Sequence, residues 1–158
     1  DYEVELVLVV GKRAKNLTPE NAMDAIFGYT VGNDLSVREA QFRTTQWLLG
    51  KSADNFGPVG PWIIPRDELD ISALDVICTV NGQVRQKSNT RDMMFPCNEA
   101  VAHISRFMSL EPGDIIYTGT PAGVAMGYPE GQQPWLKPGD LVVCEIEGIG
   151  RLENYIGV

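Results

Sequence analysis

Histidine occurs once in the 158 residues, at His103, and the three cysteines, Cys78, Cys97 and Cys144, stand far apart with no CxxC pair. A single histidine excludes any Ser-His-Asp triad that does not run through it, and no GxSxG elbow accompanies a serine. Odd, widely spaced cysteines argue against a disulfide framework and a cysteine-rich zinc site, and point to reduced, partly buried thiols in an intracellular compartment, cytoplasm or mitochondrial matrix. No cluster of lysine and arginine offsets a net charge of −8, so nucleic acid and anionic membrane are poor partners. The longest apolar run is LVLVV at 6–10, far short of the ~20 residues that a membrane span needs. The phosphate-loop ending GK[ST] is missing from the glycine-rich TGTPAG at 118–123, which argues against nucleotide binding.

What is present is an ordinary globular balance, 44% apolar with 22% charged, in a chain about one domain long. The reading is a single catalytic domain over 1–158. The chain opens without Met and in the middle of a strand pattern, so an N-terminal part is expected to precede it.

In DYEVELVLVV, alternation puts Asp1, Glu3 and Glu5 on one face of a strand and Tyr2, Val4 and Leu6 on the other. Two carboxylates side by side repel, and each raises the other's pKa unless a cation or water intervenes. LTPENAMDAIFG predicts a helix with Thr18 as N-cap, Pro19 in its first turn and Gly28 at its end. YTVGNDLS predicts a second strand ending at Asp34, and SVREAQFR one or two helical turns. Trp47 to Pro65 reads as loop, with GPVGPW as a turn. Asn81-Gly82 marks a hairpin between Asp75–Val80 and Val84–Gln86. A helix from about Asn98 carries Val101, Ile104 and Met108 inward and turns His103 outward to the surface. LEPGDIIYTGTPAG and LKPGDLVVCEIEGIG each launch a strand from a Pro-Gly-Asp turn.

A hard cation such as Mg²⁺ takes oxygen ligands in near-octahedral geometry, and Glu3 and Glu5 with a third acid would supply one face of that octahedron. Asp34, in an otherwise neutral stretch, is the candidate third ligand, although an Asp before a short helix is also a routine N-cap. On spacing alone, solvated edge-strand acids explain the pattern more cheaply than a cation site. Lys51, amid apolar and small residues, is either a partner for a substrate carboxylate or a snorkelling surface lysine. The hydroxyls and N–H groups of TGTPAG suit a carboxylate, or form a plain glycine-rich turn.

YEVEL, GYTVGNDLSVREAQ, QWLLGKSADNFGPVGPW, NGQVRQKSNTRDMMF and LEPGDIIYTGTPAGVAMG, in this order and over nearly the whole chain, resemble the fumarylacetoacetate hydrolase family, in particular its small oxo-acid branch. The resemblance implies an α+β, mostly β fold, a roll of mixed sheets with about three short flanking helices, usually dimeric. It implies Mg²⁺ or sometimes Mn²⁺ on Glu3, Glu5 and Asp34, and substrate contacts from Arg38, Gln41, Lys51 and Thr120, with Lys51 also catalytic. Family members often read SARDxQ where this chain reads SVREAQ, so Glu39 replaces a common Asp near the site. Several relatives activate water with a His-Glu pair upstream of the E-x-E strand, so the general base is expected to lie outside this chain. The implied substrates are 2-oxo and 1,3-diketo acids. C–C hydrolysis of an acylpyruvate-like acid is favoured, with oxaloacetate tautomerisation or decarboxylation second and a silent oxo-acid-binding domain third.

Overall fold

In the computed structural model, which describes residues 1–157, the opening strand β1 (Val4–Val10) pairs antiparallel with β2 (Ile26–Asn33). Two short helices, α1 (Arg38–Gln41) and α2 (Leu48–Lys51), lead to β3 (Val59–Pro65), which lies against the far side of β2. The hairpin β4 (Asp75–Val80) and β5 (Gln83–Asn89) precedes the longest helix, α3 (Cys97–Phe107). Then come β6 (Ile115–Tyr117), β7 (Leu141–Ile146) and β8 (Gly150–Tyr155). The strands make two four-stranded sheets, ordered β3-β2-β1-β6 and β5-β4-β7-β8. Every pairing is antiparallel, a simpler arrangement than the mixed sheets implied by the resemblance.

Alternation decides how the sheets stack. Val4, Leu6 and Leu8 of β1 join Tyr29 and Val31 of β2 in one buried cluster with Val76, Cys78, Val142, Cys144 and Ile146 of the second sheet. Burying each such side chain contributes about 1.5–3 kcal/mol. Glu3 and Glu5 project from the other face of β1. Helix α3 buries Cys97, Val101 and Ser105, one residue per turn, and Ser105 Oγ also accepts the Leu17 N–H.

Four local expectations are corrected. The helix predicted from Thr18 shrinks to a single 3-10 turn, Ala22–Ala25, because Ile26–Asn33 is drawn into the ladder beside β1. Gly28 ends no helix; it lies within β2, where a Cβ would stand 2.3 Å from the Ile64 carbonyl oxygen of β3. GPVGPW is not a free turn, since Val59–Pro65 forms the edge strand, the position where a sheet tolerates proline. Met108 falls just past α3 and is exposed instead of facing inward, while His103 is exposed as expected. Among the described residues no helix is long and apolar enough to cross a membrane.

Candidate metal centre

Register brings the acids together. Val4 pairs with Asn33, so Asp34, one residue beyond β2, lies beside Glu3, and its N–H donates to the Glu3 carbonyl at 2.9 Å. The Asn33 side chain accepts the Glu3 N–H and holds that crossing in place. Carboxylate oxygens of Glu3, Glu5 and Asp34 then lie within 4.8 Å of one another. Glu3 and Glu5 are 7% and 3% exposed, so the edge-strand alternative, which needs them in water, does not describe them.

Two cations arrive from the helices after β2. Lys51, last residue of α2, donates from Nζ to Glu3 Oε2 at 2.8 Å and to Asp34 Oδ2 at 2.6 Å. Arg38, first residue of α1, donates from Nε to Asp1 Oδ2 and from Nη1 to Gln41 Oε1, both at 2.9 Å, and from Nη2 to Glu3 Oε1. A third support is the loop after β6. The Gly119 N–H donates to Glu5 Oε2, the Thr118 hydroxyl to the Leu6 carbonyl, and the Thr120 hydroxyl to the Val4 carbonyl.

The electrostatics call for a further cation. With all four ionised, the side chains of Asp1, Glu3, Glu5 and Asp34 carry two more charges than Arg38 and Lys51 balance. Burial pushes the Glu5 carboxyl up to about 8, with Asp34 and Glu3 adding to it, against the Gly119 N–H and Lys51, which lower it. A doubly charged ion would neutralise the cluster, and three carboxylate oxygens are the donors that Mg²⁺ or Mn²⁺ prefers. The residues fit such an ion.

The positions implied as substrate contacts divide into two groups. Lys51 is one-fifth exposed at its side chain and gives two of its three N–H donors to the acids, which leaves one. Arg38, Gln41 and Thr120 are engaged by the protein itself: the Arg38 fork by two acids and Gln41, and the Thr120 hydroxyl by Val4 and by the Gln86 amide, which donates to it at 2.8 Å. His103 packs on the Phe107 ring and takes no part in the cluster. Two supporting groups escaped the sequence reading. Asp1 carried a signal, its place in the same alternation as Glu3 and Glu5. Buried Gln86 carried none, because its partners are 34 or more positions away. The N–H groups of TGTPAG were expected to suit a carboxylate, and the Gly119 N–H does take one, that of Glu5. A cavity of about 380 Å³ lies behind the Thr118–Pro121 loop, but Val4 and Leu6 line it, so it opens on the side of β1 opposite the acids.

A family model described as the fumarylacetoacetate hydrolase C-terminal domain matches residues 1–157. The mitochondrial oxaloacetate tautomerase FAHD2A of Bos taurus is 45% identical over 99% of this chain and 50% of its own length. Among solved structures, a fumarylacetoacetate hydrolase from psychrophilic Exiguobacterium antarcticum superposes with a TM-score of 0.95 at 41% identity, over 99% of this chain and 56% of that one. A 5-carboxymethyl-2-hydroxymuconate delta-isomerase from Mycobacterium smegmatis does so with a TM-score of 0.89 at 40% identity, over 99% and 58%. The chain spans about half the length of the curated relatives it matches.

Proposed function

Because the chain belongs to the fumarylacetoacetate hydrolase family, we propose that it is the catalytic domain of a divalent-metal-dependent enzyme that moves a proton between the enol and keto forms of a small 2-oxo acid such as oxaloacetate. The observation that carries this reading is the meeting of Glu3, Glu5 and Asp34 at one point, with an ammonium beside them. A hard cation held by those three side chains would supply Lewis-acid stabilisation of the charge that enolisation places on a 2-oxo oxygen.

The remaining work falls to the chain's own groups. Lys51 keeps one Nζ–H for a substrate oxygen, at the exposed rim of the acids. Arg38 holds Glu3 in place, and the Gly119 N–H holds Glu5. The tautomerase name of a 45%-identical relative puts first the alternative that the sequence placed second. C–C hydrolysis is the second reading, supported by the hydrolase among the structural relatives. Three free buried thiols suit an intracellular setting, and the homodimer implied by the resemblance is proposed as the working assembly, to be read by sedimentation.

The test follows the ultraviolet absorbance of enol-oxaloacetate with the intact protein and Mg²⁺. The expected result is accelerated decay that chelation abolishes and a Glu3→Ala, Glu5→Ala double variant lacks, with no pyruvate formed. Pyruvate release from acylpyruvates at a comparable rate would transfer the assignment to hydrolysis. Tight Mg²⁺ binding with neither activity would leave an oxo-acid-binding domain.

A further inference from the structure

The Asp1 carboxylate is fully buried beside the site: its side chain has 0% exposure, against 9% for that of Glu3. A buried carboxylate is tolerated only when paired and fully hydrogen-bonded, and Asp1 is both. Its Oδ1 accepts the N–H groups of Tyr2 at 2.9 Å and Ala125 at 2.7 Å. Its Oδ2 accepts the Met126 N–H at 3.1 Å and sits in the fork of Arg38, 2.9 Å from both Nε and Nη2. Asp1 is not one of the three acids whose oxygens converge, yet two of those acids depend on it. Through the Arg38 fork it reaches Glu3, and by fastening Ala125 and Met126 it anchors the far end of the loop whose Gly119 N–H reaches Glu5.

We propose that Asp1 is a positioning residue of the acidic centre, holding the Arg38 guanidinium against Glu3 and pinning the 118–126 loop so that Glu3 and Glu5 face a common cation. The inference rests on the metal-dependent reading above. Its sign follows from charge. Without the Asp1 carboxylate, Arg38 answers to Glu3 alone and competes harder with a divalent ion for that side chain. The cluster also loses one of the negative charges that attract the ion.

Mg²⁺ affinity, measured by calorimetry on the intact protein without substrate, tests this. Asp1→Asn keeps the size and one acceptor oxygen but places an amide NH₂ against the Arg38 fork. The expected result is Mg²⁺ binding weaker by about ten-fold, the scale of one charge removed a side chain away. In an Arg38→Met background, Asp1→Asn should weaken binding by clearly less than ten-fold, since the path through Arg38 is already cut while the lost charge and the loop contacts still count. A lower melting temperature with Mg²⁺ affinity unchanged, which a merely structural role would produce, overturns the proposal. So does an undiminished effect of Asp1→Asn in the Arg38→Met background. Should Asp1→Asn fail to fold, Arg38→Lys retains the charge without the fork; weaker Mg²⁺ binding supports the positioning path, and wild-type affinity refutes it. Absence of oxo-acid turnover by the wild-type protein would count against the proposed reaction and not against this inference.

Discussion

Glu5 carries the heaviest electrostatic load of any residue in the site. Burial lifts its carboxyl from 4.5 to about 8, so the folded protein binds this proton more tightly than the unfolded chain does. The sign is therefore fixed. The associated stability is present below the unfolded value and is lost as pH climbs through 4.5 towards 8. A divalent ion bound at Glu5 would replace the proton and offset that loss. The metal-free protein should melt at progressively lower temperature between about pH 5 and pH 8, and Mg²⁺ should raise the melting temperature more at about pH 8 than at about pH 6. Calorimetry in buffers of different ionisation enthalpy should register protons released on Mg²⁺ binding, and Glu5→Gln should flatten both dependences. If Mg²⁺ stabilises equally at both pH values, Glu5 is not a ligand. Alternation set Glu3 and Glu5 on one face and neutral neighbours singled out Asp34, but only the family resemblance turned the three from solvated acids into favoured ligand candidates. Arg38 was legible as a residue, though the resemblance implied a substrate contact. Its engagement by Asp1, 37 positions away, is a product of folding that no local pattern carries.

At the scale of elements, the sequence reading succeeded where turn chemistry was explicit and failed where two local signals competed. Asn81-Gly82 and the two Pro-Gly-Asp turns lie where hairpin and strand starts were expected. The Thr18–Gly28 stretch carried good helix punctuation, yet Ile26, Tyr29 and Val31 do more for the fold as a strand beside β1, so the ladder overrode the cap. Gly28 was misread for a related reason. A glycine that ends a helix and one that lets a neighbouring strand approach look alike until the partner strand is known. Gly123 shows the same need at the site. Its φ is +111°, and a Cβ there would meet the Arg85 carbonyl oxygen at 2.1 Å, backbone against backbone. Gly123→Ala should destabilise by about 3 kcal/mol, combining left-handed strain with overpacking. Gly113→Ala, also at positive φ but in open space, should lose only about 1 kcal/mol. Urea denaturation of both variants checks the difference; equal losses would mean that the loop does not press on β5.

Over the whole molecule, the negative charge is concentrated where it can act. The net charge of −8 predicted no particular partner, but the structure gathers four acids against two bases in one place, and so turns a bulk property into a local demand for a cation. The cysteines tell a plainer story. All three are free and buried, and burial pushes the Cys97 thiol up to about 11. A thiol reagent should therefore label the native protein slowly and the denatured protein at once; rapid labelling of the folded state would contradict this core. The fold class and the metal-ligand candidates were legible because strand period, turn residues and long motifs all act locally. The supports behind the ligands were not, since each joins segments that meet only in three dimensions.

The two faces of β1 have a final consequence. One side is oily and seals the sandwich, while the other carries Glu3 and Glu5 at its start and Val7 and Val9 beyond them. Slipping this strand by a single position would exchange them, sinking glutamates into hydrocarbon and lifting leucines to where the acids converge. Misassembly of that kind cannot yield a sound body with a faulty centre, so any proofreading that discards badly built copies also guards the acidic cluster.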